Sequence, residues 1–271
     1  MDKEILKGYL EKGTDIAGGA VGGAIGLIGG PAGAILGGSL GVAISIGVKD
    51  FINRQLSNRQ EVRVAASTVF ALNEIRKRVE HGEIVRSDNF FDNSTGRSSA
   101  EELFEGVLLK CKDQYQEKKI FYISKIFEKT IFDSNISADT ANQILSIVEN
   151  FTYRKLCIIA FFLKKNEFDK DLLMKEVYSW YPDIIFRIEL EILKQDIFDL
   201  VNLGIIDQKN FMMLTKNEVI PFNFELTTIG QLISKIMDLH LIPMTDLNPI
   251  YTELQYKEEF GISQHGKRNG S

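Results

Sequence analysis

Histidine is scarce in this chain, three in 271 residues, and so are tryptophan (one), cysteine (two) and proline (five). His81, His240 and His265 stand in separate contexts. None lies at helical or loop spacing from a cysteine or a carboxylate pair, so no zinc set is offered. Cys111 and Cys157 sit in helix-like apolar surroundings without ligand spacing and read as reduced core thiols. No G-x-S-x-G elbow, H-E-x-x-H helix or paired-cysteine motif occurs. The close carboxylates Glu101-Glu102, Glu189/Glu191 and Glu258-Glu259 point in different directions on a helix and make poor acid–base pairs. These absences predict a protein that is not an enzyme and holds no metal or cofactor. A net charge of −5 gives no electrostatic reason to expect nucleic acid. An export signal is not expected either, because mixed charge precedes an apolar run about twice the length of a signal core.

Charge is missing altogether from Ile16 to Val48, thirty-three residues that hold twelve of the 22 glycines. Gly18, Gly22, Gly26 and Gly30 recur every four residues. So do Gly29, Gly33, Gly37 and Gly41, with Pro31 where one register hands over to the other. Residues four apart share a helix face, so each half would offer another helix a smooth groove. One straight helix of this length would run about 50 Å, against a hydrocarbon core of about 30 Å. A break at Gly29-Gly30-Pro31 would give halves of about 22 to 27 Å, tolerable where a bilayer thins.

Twelve large aliphatics favour insertion by only about 4 to 7 kcal/mol. Glycine meanwhile costs a helix about 1 kcal/mol relative to alanine. Helix–helix packing would have to supply the remainder, which predicts a homo-oligomer in contact with a lipid bilayer. A plain anchor, and a glycine-rich helix pair buried inside a soluble fold, stay open beside it. A phosphate-cradling loop is excluded, since neither G-x-G-x-x-G nor G-x-x-x-x-G-K-[ST] is present. The basic flank Lys49, Arg54, Arg59 and Arg63 suits an inner-membrane segment with the C-terminal body in the cytoplasm.

In chain order the sequence predicts a mainly α protein in five parts. Residues 1–15 form an amphipathic lead-in helix, and 16–48 the glycine-zipper hairpin as a membrane segment. Residues 49–168 make a helical domain, a bundle. Its helix over Glu61–Glu83 is stopped at His81-Gly82, and the next opens at Ser98 or Ser99 as a capping box and runs on to Ile131. Two more, about 138–150 and 153–165, are capped by Ser137 and Thr152, and the second is apolar nearly all round. Residues 169–245 follow a winged-helix-like α+β order with a short hairpin, 204–206 with 212–219, and a Leu-Thr-x-x-Gly opening at 226–230. The helix that would enter a DNA groove carries Asp183, Glu189, Glu191, Asp196 and Asp199, so packing or protein docking is expected there. Residues 246–271 are a partly disordered tail.

The four-residue glycine spacing resembles the glycine zippers of bacterial membrane and pore-forming proteins. The segment Glu117–Phe162, through Lys119-Ile120-x-Tyr122-x-x-x-Ile126-Phe127 and Leu145-x-x-x-x-x-Phe151-Thr152, resembles a helical domain of bacterial membrane-linked proteins, some set among phage-defence genes. Together these resemblances imply an abortive-infection effector that permeabilises or depolarises the inner membrane, regulated by its cytosolic domains or by a sensor protein. Gly18, Gly22, Gly26, Gly30, Pro31, Gly33, Gly37 and Gly41 would be its membrane and assembly residues. The alternative is a non-enzymatic adaptor whose glycine-rich pair is buried. A membrane-tethered transcription regulator is a third reading.

Overall fold

Serine side chains mark where the helices start. Ser57 opens the helix Asn58–Glu80 (α2) with a complete capping box, accepting from the Gln60 amide while the Gln60 side chain accepts from its own. Ser98 accepts from Glu101 N–H at 3.2 Å to open Ser99–Lys112 (α3). Ser137 accepts from Thr140 N–H at 3.0 Å to open Ala138–Glu149 (α5). Each cap satisfies a donor that the first turn leaves without a partner. A computed structural model describes residues 38–52, 54–94, 96–175, 177–178, 188–209 and 218–255. The predicted lead-in helix, residues 16–37 of the glycine run, residues 212–217 of the predicted hairpin and residues 256–271 lie outside the described residues. Among these, ten α-helices and two two-stranded sheets make the chain mainly helical.

The chain divides between Tyr153 and Arg154 into two units, with Lys235–Asp238 belonging to the first. The first unit contains Gly38–Ile52 (α1), α2, α3, Glu117–Thr130 (α4) and α5. Helix α3 is central to it, packing on α1, α2, α4 and α5, while α2 packs on α4. Phe104 and Phe127 meet in the core with ring centroids 4.7 Å apart. The loop after α2 is pinned by Phe90, which is buried under the Arg86 guanidinium.

The helix predicted to run from Ser98 to Ile131 is two helices. A single one would be about 50 Å long and would carry Ile120–Ile131 away from the core that Leu103–Cys111 builds. Residues 113–116 turn the chain instead, so that both apolar stripes share one interior.

The second unit takes in most of Tyr153–Leu163 (α6), then Lys170–Leu173 (α7), Val177–Tyr178 (β1) and Ile188–Asn202 (α8). Ile206–Gln208 (β2), Glu218–Val219 (β3), Phe224–Leu226 (β4), most of Thr228–Ile236 (α9) and Met244–Leu254 (α10) follow. Leu156–Phe162 is buried throughout, as its all-round apolar pattern requires. Gly204 ends α8 at φ 67°, the left-handed conformation that turns the following Ile205 N–H back to Leu200 O at 2.9 Å.

Among the described residues the strands pair outside the predicted hairpin. β2 runs antiparallel to β4, and β1 to β3. Residues 246 onward, expected as a tail, begin inside α10, where Leu247, Ile250 and Leu254 are buried at helical spacing.

Candidate functional site

Of the eight predicted assembly residues, Gly18, Gly22, Gly26, Gly30, Pro31, Gly33 and Gly37 lie outside the described residues. Gly41 lies in α1. A Cβ built on it meets nothing within 4 Å among the described residues, so no close approach is seen there. That role falls to Gly47, where a Cβ would sit 2.7 Å from Phe104 Cδ1. The four-residue register passes over Gly47, and the only local hint was its place on the same face as Leu40, Ala43 and Ile44. Those residues are buried, in a helix that packs on α3.

The membrane-spanning and pore-forming expectations are corrected here: among the described residues no helix is long and apolar enough to cross a membrane. Helix α1 has 15 residues. That is about 22 Å against a hydrocarbon core of about 30 Å. One of its faces, moreover, is committed to protein.

The glycine contrast is testable. Gly41→Ala is expected to stabilise by up to about 1 kcal/mol through helix propensity. Gly47→Ala should lose that gain and about 1–2 kcal/mol more, because the Phe104 ring, held by Phe127, must shift. Urea midpoints of the two variants measure the difference.

Charged side chains inside the first unit are bound to one another. Lys125 of α4 is buried and reaches Glu74 of α2 at 2.7 Å, Glu128 at 3.3 Å and Asp238 at 3.3 Å. Arg78 holds Glu128 at 2.6 Å and Glu83 at 2.5 Å and lies over the Phe132 ring. Lys77 bonds Glu74 and Lys129 bonds Asp238. Four cations thus face four carboxylates. Burial alone would raise the Glu74 carboxyl, but hydrogen bonds from Lys125 and Lys77 hold it below its ordinary range. Such a network fixes α2 against α4.

Lys119 is buried and donates to the Glu149 carbonyl at 2.7 Å and the Phe151 carbonyl at 2.5 Å, closing the end of α5. Desolvation lowers its ammonium to about 8, whereas burial pushes the Cys111 thiol up to about 12, which makes it unreactive. A folded value below the unfolded one means that the unfolded chain holds more protons between about pH 8 and 10.5. Stability contributed by Lys119 therefore rises with pH across that window. The wild type should gain stability relative to Lys119→Met between those limits by about 3 kcal/mol at most, read from denaturation at each pH.

The second unit carries a cleft of about 490 Å³ between α8 and α10, a size suited to a side-chain cluster or small ligand. Leu193 and Ile250 are its buried apolar lining, with Glu189, Asn248 and Thr252 at exposed positions. Pro249 has no N–H, so the Thr245 carbonyl loses its ordinary helical donor where both residues line the cleft. Arg154 lines it too, and its Nε and Nη2 each hold the largely buried Asp196 carboxylate at 2.6 Å. Beside the cleft, Ile188 (57 % exposed) and Ile192 (42 % exposed) stand one helical turn apart on α8 with Glu189. The acidic helix was legible in the sequence. Its exposed isoleucines were not, because isoleucine pattern alone does not tell an outward stripe from an inward one.

Among the described residues no group of three or more histidines, cysteines or carboxylates could hold a metal ion. Compared with known proteins, the chain matches no family model, no curated protein and no solved structure.

Proposed function

We propose that this chain is a non-enzymatic interaction protein, an adaptor. Its glycine-rich run is a helix-packing element, and its second unit docks a regulator protein. The observation that carries this reading is the α8 face, where Ile188 and Ile192 are exposed beside Glu189 and adjoin the cleft. That combination suits a partner segment with an apolar ridge and a basic flank.

The order α8, β2, β3, β4 and α9, with β2 paired to β4, supports a winged-helix-like module used for protein docking. Its cations support the same choice over nucleic acid. Lys194 is buried, and the exposed Lys209 is bound to Glu225 at 2.5 Å. Phosphate binding needs such charges directed outward. A place among bacterial defence proteins is supported by the sequence likeness of residues 117–162 alone.

The test is a photo-crosslinking residue at Ile192 of the full chain in its own cells. A discrete protein adduct that Ile188→Asp abolishes is expected, with the helical circular dichroism unchanged. An adduct to nucleic acid, or none, would overturn the reading.

A further inference from the structure

The cleft between α8 and α10 lies wholly in the second unit, and its chemistry is one-sided. Glu189 and Leu193 are one helical turn apart on α8, so a carboxylate and an apolar wall share one face. Thr245, Pro249 and Glu253 follow the same four-residue spacing on α10 and line the cleft from there. Arg154 is the one cation in the lining among the described residues, and Asp196 already engages its Nε and Nη2. Asn248 and Thr252 can donate or accept. The other polar groups are acceptors: the two carboxylates, and the Thr245 carbonyl that Pro249 deprives of its helical donor. We propose that the cleft receives an arginine side chain of the docked partner, its guanidinium set between Glu189 and Glu253.

A guanidinium brings five donors and no acceptor, which suits a cleft bordered by carboxylates and an orphaned carbonyl. It is less strongly hydrated than an ammonium, and its aliphatic stem packs on the apolar floor of Leu193 and Ile250. The volume of about 490 Å³ holds stem and head group without displacing either helix. An anionic partner would meet two carboxylates, with only a committed cation to balance them. The arginine belongs to a protein rather than to a small solute, because the apolar strip continues outside the cleft. Ile188 and Ile192, 57 % and 42 % exposed, extend beside it along α8, and a free guanidinium compound would leave them bare. This occupant rests on the docking role of α8 and gives that partner its chemistry.

Anisotropy titrations of the full chain test it, with the fluorescein-labelled peptide Gly-Leu-Leu-Arg-Ala-Leu-Leu-Gly as probe. A second peptide carries citrulline, the uncharged isostere, in place of arginine. The arginine peptide is expected to bind at least about fivefold more tightly than the citrulline peptide. In Glu189→Gln/Glu253→Gln the two should agree within about twofold, with helical circular dichroism unchanged. If that variant does not fold, Glu189→Gln alone must lower the ratio at least about twofold. Ile188→Ala should weaken both peptides alike and keep the ratio, which separates loss of the docking face from loss of arginine recognition. A smaller ratio in the wild type overturns the proposal, as does binding of neither peptide. A ratio that survives the carboxylate substitutions overturns it too, by seating the arginine elsewhere. Blocked free arginine that binds as tightly as the peptide overturns it in favour of a small guanidinium ligand. An Ile192 adduct in cells alongside a ratio near one sinks this proposal alone and leaves the docking role standing.

Discussion

Lys125→Met is expected to destabilise the first unit by about 3 kcal/mol, because Glu74, Glu128 and Asp238 keep Lys77, Arg78 and Lys129 but lose the buried cation they share. Methionine keeps the stem's packing and removes only the ammonium. Glu128 is the most exposed to that loss in energetic terms. Its Oε2 is buried and accepts no hydrogen bond, yet faces the Lys125 ammonium at 3.3 Å. Glu74 and Asp238 lose the same partner.

The double variant Lys125→Met/Glu128→Gln should recover a measurable part of the loss, since the two changes share one contact and cannot be additive. The acid limb moves as well. The depressed Glu74 carboxyl contributes stability that is present above its unfolded value of about 4.5 and is lost as pH falls through its folded value. Without Lys125 the folded value rises, so the acid midpoint of the variant should lie at higher pH. Urea titrations at neutral pH and an acid titration of both proteins measure these effects. An unchanged midpoint in both would show that the network is not closed as described.

The network also shows why some of this fold could be read from the sequence and some could not. Helix starts at Ser98 and Ser137, and the stops at His81-Gly82 and Gly204, follow from local chemistry that a few residues contain. The split of α3 from α4 does not, because each half is periodic alone and only the shared interior forces the turn at 113–116. Lys125 and Glu128 are three apart on one helix and read as an ordinary solvated pair. Their burial depends on α2 and Asp238, which are distant in sequence. Lys119 is similar, since nothing near it shows that two carbonyls 30 and more residues away will accept its hydrogen bonds. The pairings of β1 with β3 and β2 with β4 were not legible for the same reason. Two-residue and three-residue strands carry no alternation from which to choose a partner. For the candidate sites, seven of the eight register residues lie outside the described residues. Within the described residues it indicated Gly41, whereas the contact is at Gly47.

Gly230→Ala is expected to cost the second unit about 3 kcal/mol, although alanine in a helix ordinarily gains about 1 kcal/mol over glycine. The Leu-Thr-x-x-Gly sequence at 226–230 has a specific geometry behind it. Thr227 donates its hydroxyl to the Gly204 carbonyl at 2.6 Å, and its oxygen accepts the Gly230 N–H at 3.1 Å. The Thr227 N–H goes to the Ile205 carbonyl at 3.1 Å. These bonds draw the first turn of α9 down onto the strand entry so closely that a Cβ on Gly230 would collide with the Ile205 carbonyl oxygen. The obstacle is backbone, held by Thr227 on one side and by the end of α8 on the other, so it cannot swing aside as a side chain would. Relief requires α9 to lift away, breaking the Thr227 bonds. Hydrogen exchange at the Thr227 and Gly230 amides should then accelerate together in the variant, while the amides of α2 and α4 keep their rates. Thr227→Val gives the complementary result. It removes the hydroxyl bonds but leaves the space for glycine, and should cost about 1–2 kcal/mol. If Gly230→Ala instead unfolds at the wild-type midpoint, the close approach of α9 to Ile205 is wrong.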